Sequence, residues 1–174
     1  DISITAVSCQ FTPTPTATPI PTPVFLPENT SFNLSDPFDC TAPGDTLEAE
    51  VAVANTGAAT AFGSELALDF PARLVGVPGT CTFTGGANGT CTIDEIGLRW
   101  RGDVPSTAPN NLLTLNFSVR VAGGTVRGTE ICATSTFRWA AAGTGPVDRS
   151  LDVGACAEVD CLPTVDPNRQ LSGQ

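Results

Sequence analysis

Alternation of apolar and polar side chains is the strongest pattern in the chain. Leu112–Val121 sets Leu113, Leu115, Phe117, Val119 and Val121 on one face and Thr114, Asn116, Ser118 and Arg120 on the other. That period of two belongs to a half-buried strand. Leu47–Ala54 repeats it, with Leu47, Ala49, Val51 and Val53 opposed to Glu48 and Glu50, and ends in the turn chemistry of Asn55-Thr56-Gly57. Ala61–Phe70 places Phe62, Leu66, Leu68 and Phe70 in step, and Ile131–Trp139 aligns Ile131, Ala133, Ser135, Phe137 and Trp139. Shorter strands are expected at Leu74–Val77, Cys81–Thr84, Cys91–Ile93, Leu98–Arg101 and Arg149–Val153. Gly and Pro punctuate at intervals suited to short strands, and no segment sustains a 3.6-residue period. The prediction is an all-β fold, a sandwich of two sheets.

One alternating segment stands apart. Asp1–Phe11 carries Ile2, Ile4 and Ala6 on one face and Val7, Cys9 and Phe11 on the other, and residues 12–27 (TPTPTATPIPTPVFLP) separate it from the rest. Such a tract adopts extended polyproline II and acts as a semi-rigid linker, with Thr12, Thr14, Thr16, Thr18 and Thr22 as candidate O-glycan acceptors. At ~3.1 Å per residue the tract spans roughly 50 Å. A domain of ~135 residues is only roughly 36 Å across. The arm can therefore reach past its own domain. A strand with no partner leaves its backbone groups unpaired, so it needs a sheet edge. The organisation read from the sequence is a donor-type strand (1–11), a Thr/Pro linker (12–27), a β-sandwich (28–161) and a tail (162–174).

Charge narrows the partners. Eighteen acidic residues face eight basic ones, all arginine, for a net charge of −10. This disfavours nucleic acid and anionic membrane surfaces, and no apolar run approaches the ~20 residues that span a bilayer. Without a recognisable signal peptide, Asp1 is expected to be a mature, processed terminus. Seven cysteines in a chain without histidine read as disulfides rather than a zinc site, which implies an extracellular or cell-surface location. Cys81 and Cys91 flank a Gly-rich stretch, and a hairpin turning at Gly85–Ala87 would set them opposite each other. A Cys40–Cys132 bridge would tie the first core strand to a late one. Cys156 and Cys161 could close a small loop, or one of them could receive Cys9 of another molecule. Seven is odd, so at least one cysteine is free or pairs between chains.

Nothing in the chain supplies a reaction. A nucleophile would lack a histidine or lysine base. The adjacent Asp94 and Glu95 would point to opposite faces of a strand, so they read as a turn surface rather than as paired catalytic carboxylates. Asp148, Asp152, Asp160 and Asp166 crowd the C-terminal region without a D-x-D-x-D-G calcium loop and read as a solvated acidic surface. Arg101-Gly102-Asp103 spells a receptor-type tripeptide but sits at an expected strand end. Asn29, Asn33, Asn88 and Asn116 open N-x-[ST] triplets that a Ser/Thr-rich chain yields by chance. Leu162–Asp166 misses the sortase pattern at its last residue. The chain is therefore expected to be no enzyme and to need no cofactor.

Gly44-Asp-Thr with Leu47–Ala54 and Asn55-Thr-Gly57, Leu98-Arg-Trp-Arg-Gly102 before Leu112–Val121, and Gly128-Thr-Glu-Ile-Cys-Ala-Thr134 together resemble one unit of the conserved-repeat surface domains of bacteria and archaea. The resemblance covers about residues 38–156. It implies an immunoglobulin-like sandwich used as a stalk, adhesin or surface-layer module, with no catalytic residues to carry over. A lone unit with an arm is also similar to donor-strand filament subunits. Without lysine, joining through a lysine side chain is excluded, and the arm is too short and polar for a type IV pilin helix. The expected function is a subunit of an extracellular, pilus-like filament whose partner is a further copy of itself. The alternative is a monomeric adhesin or carbohydrate- or protein-binding module.

Overall fold

The alternating segments become ten strands in the computed structural model, which describes residues 19–37 and 40–161. They are β1 (Thr30–Ser35), β2 (Thr46–Ala54), β3 (Ala61–Asp69), β4 (Leu74–Gly76), β5 (Thr82–Thr84), β6 (Ala87–Ile93), β7 (Gly97–Val104), β8 (Leu112–Val121), β9 (Thr129–Trp139) and β10 (Arg149–Val159). One sheet has the order β1-β2-β8-β4, with β5 beside β8 further along the same edge; the other runs β10-β9-β3-β7-β6. Every pairing is antiparallel.

The alternation explains why the sheets pack. Leu47, Val51 and Val53 of β2 and Leu113, Leu115 and Val119 of β8 are fully buried, facing Leu66, Leu68, Leu98, Trp100 and Phe137 of the second sheet. Each large aliphatic so enclosed contributes roughly 1.5–3 kcal/mol. The polar residues between them cover the two outer faces. No helix among the described residues is long and apolar enough to cross a membrane.

Four expectations need correction. Phe62 does not join the core and is 51% exposed. The register of β3 on β7 shifts between Ala61 and Ser64, around Gly63 at φ 61°. This bulge inserts one residue, so Ala61 and Ser64 both turn inward and Phe62 turns out. Second, Cys81 and Cys91 do not flank a hairpin. β5 belongs to the first sheet and β6 to the second, and Gly85 and Gly86 at φ 68° and 63° turn the corner between them. Third, Cys40 pairs with Cys161 rather than Cys132, and Cys132 pairs with Cys156. Cys156 and Cys161 therefore close no loop of their own. Fourth, the packed body begins before residue 28, because Pro23 and Phe25 are buried.

Candidate assembly surfaces

The strands define two ends. At the upper end β1, β3, β8 and β10 begin; at the lower end they finish. The chain enters the sandwich at the upper end. Phe25 inserts against Phe137 and Trp139, with ring centroids 4.7 and 4.8 Å away. The backbone alongside is held by the β2–β3 loop, where Thr56 N–H donates to the Val24 carbonyl (2.9 Å) and Ala58 N–H to the Thr22 carbonyl (3.1 Å). Gly57 permits this approach, since a side chain there would collide with the Thr22 carbonyl and the Val24 nitrogen.

Asn55 organises the junction. Fully buried, it accepts at Oδ1 from the N–H groups of Val24 (3.2 Å) and Gly57 (3.0 Å). Through Nδ2 it donates to the carbonyls of Ala59 (2.8 Å) and Val104 (3.0 Å). In the sequence Asn55 reads as a turn residue only; the apolar Val24 and Phe25 near the end of the Thr/Pro tract are the signal that this stretch docks.

At the lower end the C-terminal side is latched. Thr41 N–H donates to Asp160 Oδ1 (2.8 Å), and Asp160 and Cys161 N–H donate back to the Thr41 carbonyl (3.2 and 3.0 Å). The Cys40–Cys161 disulfide, Cα–Cα 5.6 Å, seals the contact. It closes the seam between the edge strands β1 and β10, and Cys81–Cys91 (Cα–Cα 5.9 Å) closes the opposite seam between β5 and β6. Cys132 and Cys156 lie directly opposite on β9 and β10, exposed, with Cα atoms 4.0 Å apart. Two clusters, Cys40–Asp160–Cys161 and Glu130–Cys132–Cys156, have metal-ligand spacing, but their sulfurs are bonded to one another and offer no thiolate.

The other motifs have structural partners. Arg101 pairs with Glu65 at 2.7 Å across β7 and β3. Asp103 accepts from Gly63 N–H and Asn88 Nδ2, both at 2.9 Å, and Gly102 is buried between them. The Arg-Gly-Asp tripeptide is thus part of a strand, not a loop tip. Asp94 caps the β6–β7 turn by accepting from Ile96 and Gly97 N–H (2.9 Å each), while Glu95 is exposed. Asp148 and Asp160 stand at opposite ends of β10, with Asp152 on its exposed face, so these three do not gather around one ion. Asn29, Asn33, Asn88 and Asn116 are exposed. Ile2, Ile4, Ala6, Val7, Cys9, Phe11, Thr12, Thr14, Thr16 and Thr18, like Asp166 and the Leu162–Asp166 motif, lie outside the described residues; Thr22 is exposed.

The remaining apolar exposure lies toward the ends. Leu26, Phe62, Leu112 and Val147 are exposed at the upper end, and Ile96 and Val126 at the lower. The outward sheet faces, between these ends, are polar.

Two sheets of this order, stapled at both seams and without a catalytic cluster among the described residues, define an immunoglobulin-like β-sandwich. No protein-family model and no curated protein matches the chain, and the resemblance to conserved-repeat domains gains no support there. Among solved structures, the fold is similar to the T6 backbone pilin of serotype M6 Streptococcus pyogenes, with TM-score 0.56 and 9% identity over 76% of this chain and 36% of that one. It is likewise similar to BcpA, the major pilin subunit of Bacillus cereus, with TM-score 0.53 and 10% identity over 77% of this chain and 39% of that one. The chain spans little more than a third of either pilin. At such identities the likeness is one of fold.

Proposed function

We propose that the chain is a non-catalytic subunit of an extracellular, pilus-like filament, joined head to tail by adding its N-terminal strand to the sandwich of the next copy. The observation that carries this reading is the placement of the two exits. Phe25 and Asn55 anchor the base of the arm at the upper end, while Cys161 leaves the sandwich at the lower end. An arm extended from this base beyond its own domain would meet the lower end of a copy stacked above it, and repetition of that heterologous contact would propagate instead of closing. Exposed apolar side chains at both ends suit stacked copies, and the pilin-like fold supports the same reading.

Negative-stain microscopy of purified chain, with and without residues 1–11, tests it. Long uniform fibres that vanish with the arm are the expected result. Single particles of ~4 nm at high concentration refute it and leave the monomeric surface-binding module.

A further inference from the structure

We propose that the incoming arm docks on the lower half of β9, in the strand position that β3 leaves vacant. The inference rests on the filament reading and identifies where on the recipient the joint is made.

β9 has eleven residues, and β10 pairs with all of them. On its other side the one partner among the described residues is β3, which pairs only from Arg138 to Ser135. Below that point β3 ends, and the chain departs through Pro71–Arg73 toward β4 in the opposite sheet. The parity of the ladder shows which backbone groups are left over. Cys132 and Cys156 approach to 4.0 Å between Cα atoms, as only a non-hydrogen-bonded antiparallel pair does. The N–H and C=O groups of Cys132, and by alternation of Glu130, therefore point away from β10 toward the vacant side. A cleft of about 290 Å³ occupies that side, bounded by Pro71, Ala72 and Arg73 and by Glu130, Ile131 and Cys132.

The other edges suit an added strand less well. β4 and β5 are three residues each, β6 carries a register shift and Asn88 at φ 52°, and β1 and β10 pack against each other across the seam that Cys40–Cys161 closes. Unpaired strand edges are templates for pairing.

The direction of the chain selects a second copy as the donor. β9 runs from the lower end to the upper. An arm entering from a neighbour seated below has its N-terminus deepest, so it runs antiparallel to β9 and in line with β3. The chain's own arm, coming down from Phe25, would lie parallel to β9, the less stable pairing and foreign to this all-antiparallel sandwich. Ile2, Ile4 and Ala6 span the length of the vacant position, and their face would turn toward the core beside Ile131.

The test uses the full chain with a benzophenone side chain in place of Ile4, assembled as a mixture of isotopically light and heavy copies and then irradiated. Cross-links between light and heavy chains, falling on Pro71–Arg73 or Glu130–Thr134, are expected. Links confined to one chain, or falling on β1, β6 or β10, overturn the proposal while leaving the filament reading intact. Absence of fibres from the unmodified chain overturns both. Glu130→Pro removes an edge donor near the start of the strand without touching the β10 ladder. It should keep all three disulfides and reduce fibre mass at least about tenfold, a joint weakened by ~1.4 kcal/mol; unchanged fibre mass in a folded variant overturns the proposal.

Discussion

Asn55→Ala should unfasten the base of the arm and weaken the whole sandwich. The substitution removes two acceptor contacts, to Val24 and Gly57 N–H, and two donor contacts, to the Ala59 and Val104 carbonyls. At ~1 kcal/mol net for each hydrogen bond the loss approaches 4 kcal/mol. Three of the four contacts are only partly buried, and water entering there recovers some of it, so about 2–4 kcal/mol is expected. Against a total of ~5–15 kcal/mol for a domain, that is a drop in Tm on the order of 10 °C. Asn55→Asp sharpens the test. It keeps the acceptor but sets a carboxylate oxygen against two carbonyls, so it should destabilise at least as much as alanine. Urea denaturation of the oxidised protein gives the magnitude, and limited proteolysis near Phe25 reports undocking. A loss below ~1 kcal/mol, with Phe25 no more susceptible to cleavage, would refute the assignment of Asn55 as the organiser of this junction. So would an aspartate variant as stable as the parent.

Further perturbations probe the other features. Phe25→Ala removes a ring enclosed by Phe137 and Trp139 and should cost ~3–5 kcal/mol in denaturant unfolding; a cost under 1 kcal/mol would mean the segment is not docked. Phe62→Ala should change stability by less than ~1 kcal/mol, since the bulge turns this ring outward; a core-sized loss would restore the simple alternation of β3. Replacing Cys40 and Cys161 by alanine opens a closure of 121 residues and should cost ~5 kcal/mol, against ~2.7 kcal/mol for the 10-residue Cys81–Cys91 closure. The reverse order in thermal unfolding would contradict the loop-entropy account.

The strands that carry the core were legible because their surroundings are regular. β2, β8 and β9 each pair with neighbours on both sides, so one face is buried along most of the strand and alternation reports it directly. Phe62 misled because a bulge depends on a single glycine, and a glycine in a strand pattern does not announce that it will shift the parity. Cys81 is bonded to Cys91, but through a corner between sheets: spacing limits how far two cysteines can separate, not which sheet each belongs to. The Cys40–Cys161 latch depends on Asp160 reaching Thr41 across more than a hundred residues, which no local pattern encodes. Asn55 shows the same limit, since a turn-forming asparagine and a buried hydrogen-bond organiser look alike until the loop folds over it. Proline content reads as a linker, whereas Pro23 and Phe25 near its end pack into the sandwich.

The Cys40–Cys161 disulfide also determines what happens to the domain under tension. A pull applied between the docked segment at Thr22 and the chain beyond Cys161 passes through residues 22–40 and then crosses directly through the sulfur–sulfur bond. The 121-residue span that includes nine of the ten strands is bypassed. While the bond is intact, the tensioned path extends to at most roughly 60 Å even when fully ruptured, against roughly 490 Å for a reduced chain. Oxidised, each domain is a link that can lengthen by no more than about twofold; reduced, it becomes a tether that can pay out to more than about ten times its folded width.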